Sequence, residues 1–416
     1  MTMAADKQDK VLNVPTLRFP EYSDKWLECE LQDIADLSKG AGISKDQLSE
    51  TGESCILYGE LYTKYKSEVI SNVVSKTDIE STNLVRSKAN DVIIPSSGET
   101  AIDISTARCV PYDNILLGGD LNIIRLKNQD GRFFSYQLNG VRKLDIAQIA
   151  QGVSVVLLYG ESLKRLKVRY PSKSEQEKIS SLMSVIDERI ETQIRIIDKL
   201  KSLMQGLINE LMDNPKWAKI YVGDFMEFYS TNSLSWEQLN YNDGQVHNLH
   251  YGLIHSGLPT VVDCHKISLP YILDASLPKQ YVICKEGDVA FADASEDTAE
   301  VGKAVELTNI GTQTIACGLH TIHGRDVKNI TVEGFKGFAF NSKYFHNQIR
   351  RIAQGSKVYS INTDNVKSCF LYIPTIAEQQ KIVGLLRCMQ EKIKVAEHGL
   401  QLYEAQKQFL LRGLFV

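Results

Sequence analysis

Glu175-Gln176-Glu177-Lys178-Ile179 recurs 203 residues later as Glu378-Gln379-Gln380-Lys381-Ile382. The same offset, without a gap, relates Ile149-Ala150-Gln151-Gly152 to Ile352-Ala353-Gln354-Gly355. Upstream, shorter landmarks such as Asp91-Val92 and Asp288-Val289 keep their order despite insertions. Because a chain that matches itself at one offset builds the same structural unit twice, we predict an internal repeat that spans nearly the whole sequence.

A seven-residue apolar period follows each copy of this motif. It has the a and d spacing of a coiled coil over about five heptads, although Ala396 and Lys407 weaken the second copy. The predicted seam consists of Ile179, Met183, Ile186, Ile190, Ile197, Leu200, Met204 and Leu207 in the first copy, and of Ile382, Leu386, Met389, Ile393, Leu400, Tyr403 and Leu410 in the second.

The length of these stripes indicates what they pack against. A helix over residues 174–212 would be roughly 55–60 Å long, which is longer than one small domain needs. An isolated stripe favours a helix packed on its own domain, whereas two matched stripes of equal length favour a mutual pair. Since a globular segment separates them and the chain must fold back, we expect an antiparallel coiled coil.

The front of each repeat has a different pattern. Short apolar runs such as Asp91-Val92-Ile93-Ile94-Pro95 and Leu121-Asn122-Ile123-Ile124-Arg125-Leu126 are separated by turn residues, which is typical of β-rich α+β domains. We therefore predict an α+β fold with a pseudo-two-fold internal repeat, in which two β-rich globular domains alternate with two long helices. The predicted order is a first domain at 1–170, a helix at 171–213, a second domain at 214–373 and a helix at 374–416.

Composition narrows the class of protein. No apolar run approaches the ~18 residues needed to cross a bilayer, and the start at residues 1–7 lacks the pattern of a signal peptide, so we expect a cytoplasmic protein without membrane contact. The eight cysteines contain no Cys-x-x-Cys pair and are expected to be reduced. Net charge is −5 over residues 1–150 and −3 over 214–356, which argues against simple electrostatic attraction to DNA.

Taken together, these motifs resemble the specificity (S) subunit of type I restriction-modification enzymes. The resemblance covers the full chain and rests on the apolar-Pro steps at 170–171 and 373–374, the Glu-Gln-x-Lys-Ile motifs, the preceding Ala-Gln-Gly turns and the repeated domain-helix plan. Ile373 in place of Tyr170 and the polar Lys407 are modest departures.

The resemblance implies a division of labour in a complex. Two target recognition domains would each read one half of a split site in double-stranded DNA, and the paired helices would set the gap. Two adenine-N6 methyltransferase subunits carrying S-adenosylmethionine would dock on the helices, and the family also admits two restriction subunits that use ATP and Mg²⁺. No cofactor is expected in this chain itself.

Three pairs of segments are candidate DNA contacts. Lys64, Tyr65 and Lys66 interleave cations with an aromatic ring, as a loop that contacts phosphates and bases would, and the second repeat has His255 in this segment. An exposed loop with ordinary lysines explains the first pattern about as well. The different residues suit two different half-sites.

The other two pairs are polar segments that follow apolar runs. One comprises Ser96, Ser97, Glu99 and Thr100, with Asp293, Ser295 and Glu296 in the second repeat; such groups read base edges or cap a helix, and capping is slightly favoured. The other comprises Gln151, Ser154, Gln354 and Lys357 in repeated turns, which suit phosphate binding or a purely structural turn.

Metal and enzyme hypotheses are weaker. Cys317-x-x-His320-x-x-His323 has metal-ligand residue types, but a strand is expected there, and His320 would then point away from the other two. We therefore predict no metal site. The chain has no methyltransferase, dinucleotide, phosphate-loop or hydrolase motif, so we expect no catalysis by this chain. The alternative function is a coiled-coil scaffold with two protein-binding arms.

Overall fold

The chain divides into two compact units. The structure, a computed structural model, describes residues 14–79 and 83–416. Unit 1 consists of the described residues up to Arg195 together with His398–Val416, and unit 2 of Ile196–Glu397. Each long helix is therefore shared between the units. Residues 1–7, on which we based the expectation of no signal peptide, lie outside the described residues.

Two long helices close the repeats, as predicted. The first long helix spans Lys173–Met212 and the second spans Ile376–Leu414. Each begins shortly after a proline, a residue that has no backbone N–H to donate and is disfavoured in the interior of a helix. At the second, Glu378 and Thr375 form reciprocal hydrogen bonds in which the Glu378 side chain accepts from the Thr375 backbone N–H, a capping box that satisfies free amides of the first turn.

The repeated glutamine of the Glu-Gln-x-Lys-Ile motif is a structural anchor. Gln176 donates to the Pro171 carbonyl at 2.9 Å and accepts from the Asp130 backbone N–H at 3.0 Å. Gln379 does the same with the Pro374 carbonyl and the Val332 N–H, at 3.0 and 2.8 Å. Both side chains are fully buried, so each ties the start of a long helix to its own globular unit.

All fifteen residues of the predicted seam are buried or half-buried. In unit 1, Asp187 pairs with Lys407 and Gln193 lies beside Gly399. Residues further along the first helix therefore contact residues nearer the start of the second helix. The helices are therefore antiparallel. In unit 2, Lys201 and Glu397 form an ion pair at 2.7 Å.

Unit 1 is β-rich with short helices. Its strands are Leu27–Glu30, Ala35–Lys39, Glu53–Ile56, Ser75–Thr77, Val85–Arg86, Asp91–Pro95, Ser97–Gly98, Arg108–Val110, Leu116–Leu117, Leu121–Leu126, Val156–Leu157 and Lys167–Tyr170. Its other helices are Leu31–Ile34, Lys45–Gln47 (3-10), Glu60–Thr63, Ala101–Ile104, Gly131–Asn139, Lys143–Ile149 and Gly160–Lys164.

Unit 2 has the corresponding elements. Its strands are Ala218–Tyr221, Met226–Tyr229, Leu239–Asn240, His247–Leu249, Val261–Asp263, Tyr271–Ile272, Val289–Ala292, Ala294–Ser295, Ala304–Thr308, Ile315–Cys317, Thr321–Asp326, Tyr359–Ser360 and Phe370–Ile373. Its other helices are Val222–Phe225, Trp236–Gln238 (3-10), Tyr251–His255, Asp274–Ser276 (3-10), Phe335–Phe340, Lys343–Ile352 and Thr363–Ser368.

Strand order shows that the two units repeat one topology. The main sheet of unit 1 runs 35–39, 121–126, 91–95, 108–110, and that of unit 2 runs 226–229, 321–326, 289–292, 304–308, 261–263. Their registers correspond, since Val92 faces Cys109 and Val289 faces Glu306. This correspondence assigns equivalent residues in the two units. Among the described residues, no helix is long and apolar enough to span a bilayer.

Candidate nucleic-acid interface

In unit 1, backbone hydrogen bonds bring two distant candidate segments together. The strand Ser97–Gly98 pairs with Val156–Leu157, and Gln151 exchanges backbone hydrogen bonds with Leu157 at 2.9 and 2.7 Å. The Ser96 N–H donates to the Asp120 carbonyl at 2.7 Å. The turn at 151–154 therefore lies beside the Ser96–Gly98 segment. We call this hydrogen-bonded arrangement of residues 96–98, 120 and 151–157 the frame.

Unit 2 builds the same frame. Ala294–Ser295 pairs with Tyr359–Ser360, Gln354 exchanges backbone hydrogen bonds with Ser360 at 3.0 and 2.8 Å, and the Asp293 N–H donates to the His320 carbonyl at 3.1 Å. His320 and the equivalent Asp120 of unit 1 both have left-handed backbones, with φ of 54° and 58°. The scaffold is thus retained in detail.

The side chains on this frame differ between the units. In unit 2, Asp293 contacts His320 at 3.0 Å, His255 lies 3.0 Å from the Ala294 carbonyl, and the Tyr251 ring packs edge-on against both histidines. Their unit 1 equivalents are Ser96, Asp120, Tyr62 and Tyr58. One frame therefore presents a histidine-rich surface in unit 2 and a surface without histidine in unit 1.

The repeated Ala-Gln-Gly turn is explained by its backbone. Gly152 and Gly355 have φ of 120° and 133°, and a Cβ on them would lie 2.1 and 1.9 Å from the carbonyl oxygens of Val155 and Val358. Only glycine fits such a site. A purely structural turn therefore explains the repeated glycine. The polar side chains of the two turns are exposed and stay candidate phosphate contacts: Gln151, Ser154, Gln354 and Lys357.

The two interpretations of the Ser96–Thr100 segment apply to different residues. Thr100 caps the helix Ala101–Ile104, accepting from the Asp103 N–H at 3.1 Å. Ser96 is buried, Ser97 half-buried and Glu99 exposed. Capping therefore explains Thr100, whereas Glu99 stays at the surface beside the frame.

In unit 2 the strand Ala294–Ser295 is followed by turns, and no helix follows it. Ser295 accepts from the Asp297 N–H at 3.1 Å, and Glu296 is exposed. Asp293 is half-buried and held by His320.

The segment at 62–66 leaves a helix and continues as a loop, but its aromatic ring is not exposed as predicted. Its first residues end the helix Glu60–Thr63, and Tyr65 lies in the hydrophobic core at 7% exposure, where burial raises the pKa of its hydroxyl to about 12. Lys64 pairs with the buried Glu60 at 2.6 Å. A buried ring has no face for a base, so Tyr65 is corrected to a core residue, and Lys66 is the freely exposed residue of this set.

Unit 2 also has a basic surface that was not predicted from the sequence. Arg350 and Arg351 occupy the last turn of the helix Lys343–Ile352, directly before the turn that carries Lys357, and all three are exposed. None of the three forms an ion pair with a described residue. The three cations are close together in the sequence. Only the fold shows that they carry a charge of +3 at the border of the frame.

The metal-type residues in unit 2 do not lie on one strand as predicted. Cys317 ends the strand Ile315–Cys317, His320 sits in a turn, and His323 lies within the strand Thr321–Asp326. His320 does point away, towards Asp293, but because of the turn. Cys317 and His323 instead converge with Cys284.

Comparison with known proteins agrees with this architecture. Residues 23–202 match the family model described as type I restriction modification DNA specificity domain. The crystal structure of a type I restriction-modification system S subunit from M. genitalium shares 17% identity over 97% of this chain and 99% of its own, with a TM-score of 0.59.

A second solved structure has the same fold. It is described as "Structural basis underlying complex assembly and conformational transition of the type I R-M system", and it shares 14% identity over 93% of this chain and 96% of its own, with a TM-score of 0.58. Residues 23–202 therefore match the specificity-domain family, and the fold over nearly the whole chain is similar to that of these two solved structures.

Proposed function

We propose that each unit reads one half of a bipartite DNA site and that the paired helices set the gap between the halves. One observation carries this proposal. Both units hold the same hydrogen-bonded frame, yet they place different polar side chains on it, as two different half-sites require. Each good base-edge contact discriminates by only ~1–3 kcal/mol, so two half-sites on one ruler supply specificity that neither has alone.

Charge indicates how the protein holds DNA. The globular segments are net acidic, and the exposed basic residues Arg350, Arg351 and Lys357 cluster at one edge of the unit 2 frame. Because phosphate neutralisation supplies most non-specific affinity, we expect weak binding by this chain alone and tight binding in the assembled complex.

The proposed partners supply the chemistry. Two adenine-N6 methyltransferase subunits would bring S-adenosylmethionine, and two restriction subunits would bring ATP and Mg²⁺. We propose that this chain acts in the cytoplasm and performs no catalysis itself.

Methylation mapping tests the half-site assignment. In a host with the methyltransferase partner, adding this gene should create one gapped methylated motif. Exchanging residues 1–150 for the corresponding segment of another specificity subunit should change one half of that motif, and exchanging residues 214–356 should change the other half. Each exchange is the matched control for its counterpart. Absence of any new motif with active partners, or both halves changing in a single exchange, would contradict the proposal.

Helix length tests the ruler. Deleting residues 190–196 together with 398–404 removes one heptad from each helix and leaves the Asp187–Lys407 and Lys201–Glu397 pairs in place. Each heptad is about 10.5 Å of helix, so the gap should shorten by about three base pairs at about 3.4 Å each. Deletion from one helix alone is the control and should abolish methylation, because the seams no longer match. An unchanged gap in the double deletion refutes the ruler.

The acidic charge of both segments favours one other function, a coiled-coil scaffold with two protein-binding arms. Affinity purification from the host separates the two. Recovery of two methyltransferase chains per subunit, with DNA binding by the complex, supports the specificity function. Stable partners that include no methyltransferase support the scaffold.

A further inference from the structure

Three potential metal ligands meet in the core of unit 2. The Sγ atoms of Cys284 and Cys317 are 3.6 Å apart, and one ring nitrogen of His323 lies with both sulfurs inside a group no wider than 4.8 Å. With Zn–S bonds of about 2.3 Å, two thiolates on a tetrahedral zinc are about 3.8 Å apart, whereas a disulfide brings them to about 2.0 Å. The observed separation fits a shared ion.

His323 is oriented as metal-binding histidines are. Its Nε2 lies 2.7 Å from Asp288 Oδ2, so this nitrogen donates to the carboxylate and Nδ1 is the nitrogen left to bind a metal ion. The side chain is fully buried, and Nδ1 has no hydrogen-bond partner among the described residues. A carboxylate behind a ligating imidazole is the usual arrangement, since it sets the tautomer and the ring orientation.

Unit 1 shows that the fold does not need two cysteines and a histidine at this place. Ser87 donates its backbone N–H to Ile115 at 2.8 Å as Cys284 does to Ile315 at 2.8 Å, which makes Ser87 the equivalent of Cys284. By the same correspondence, Leu117 of unit 1 is equivalent to Cys317, and Ile123 is equivalent to His323. The carboxylate and guanidinium behind His323 are retained as Asp91 and Arg125, at 2.7 and 2.9 Å.

Charge favours a divalent ion. Arg325 already neutralises Asp288, with contacts of 2.8 and 2.7 Å. Two thiolates would then balance one Zn²⁺ and leave no excess charge in the buried site, which lowers the cost of placing ions there.

We propose that Cys284, Cys317 and His323 bind one soft metal ion, with zinc the ion that best balances the site. Thiolate and imidazole ligands select zinc or Cu⁺ over hard cations. On binding, both thiols and the imidazolium form of His323 lose a proton to solvent, so at least two protons are released per ion, and a fourth position on zinc is left for a small ligand such as water. The proposal does not depend on the proposed DNA reading.

The full-length chain, produced with zinc in the medium and purified under reducing conditions, should carry about one zinc per chain by elemental mass spectrometry. Cobalt substitution should give thiolate-to-metal charge-transfer bands, and zinc titration of the metal-free protein should release at least two protons per ion. Cys317→Leu and His323→Ile install the residues of unit 1 and should lower the zinc content at least ~10-fold while circular dichroism stays unchanged. Cys369→Ser, at an equally buried cysteine outside the group, should retain the metal.

A parallel reconstitution with Cu⁺ distinguishes the two soft ions, and uptake of either one at this group supports the site. Three results overturn it: neither ion is retained, Cys369→Ser loses metal as completely as Cys317→Leu, or non-reduced protein contains a Cys284–Cys317 disulfide.

Discussion

Glu306→Ala is expected to lower the free energy of unfolding of unit 2 by about 3–5 kcal/mol, the range for removing one partner of a buried ion pair. The Glu306 carboxylate is fully buried and accepts from Lys336 Nζ at 3.0 Å and from the backbone N–H groups of Gly334 and Gly337 at 2.9 and 2.7 Å. Alanine leaves a buried ammonium and two amides without their acceptor. Urea denaturation gives the loss, and hydrogen exchange localises it to unit 2.

Unit 1 supplies the matched control for this prediction. The strand register makes Cys109 the equivalent of Glu306, and the shared bonds of Asn139 and Asn341 to Ala107 and Ala304 make Phe134 the equivalent of Lys336. The double variant Glu306→Cys/Lys336→Phe should therefore cost less than Glu306→Ala alone, since well-packed apolar replacements of buried pairs are often neutral. A double variant as unstable as the single one would show that the unpaired lysine is not the cause.

Some parts of the molecule could be predicted from the sequence alone. The heptad seam was predictable because a helix repeats its neighbours every three to four residues, so residues such as Met183 and Leu386 reveal their burial locally. The glycine of the Ala-Gln-Gly turn was visible too, although its positive φ was not. Sequence periodicity therefore predicts which face of a helix is buried, but not which distant residues that face contacts.

The frame that gathers the candidate site was out of reach for a physical reason. Its bonds join Ser96 to Asp120 and Ser97–Gly98 to Val156–Leu157 through backbone atoms, and backbone pairing leaves little trace in side-chain identity. Tyr65 was misassigned for the same reason, because one aromatic residue among lysines does not show which way it faces. The convergence of Cys284 with Cys317 required the strand register, since the two are 33 residues apart.

Lys407 was predicted to weaken the second seam, and the structure instead makes it the centre of a buried ion cluster in unit 1. Its Nζ contacts Glu68 and lies 2.7 Å from Asp187, which also accepts from the hydroxyls of Tyr136 and Ser67 at 2.7 Å each. Heptad periodicity could not reveal this, because Glu68 is 339 residues away in sequence. Lys407→Ala should therefore destabilise unit 1 by about 3–5 kcal/mol by leaving two buried carboxylates without their cation.

The control for Lys407 removes the charges together. Lys407→Met with Glu68→Gln and Asp187→Asn should recover much of the stability lost in Lys407→Ala, measured by urea denaturation with hydrogen exchange to localise the loss in unit 1. Burial alone would lower the pKa of Lys407, but Glu68 and Asp187 raise it above its usual value. A raised folded-state pKa means that the contribution of Lys407 is fully present below the unfolded pKa and is lost only as pH rises through the folded one. The stability difference between wild type and Lys407→Ala should accordingly stay constant from about pH 6 to 9, and a difference that shrinks within this window would place the lysine outside the cluster.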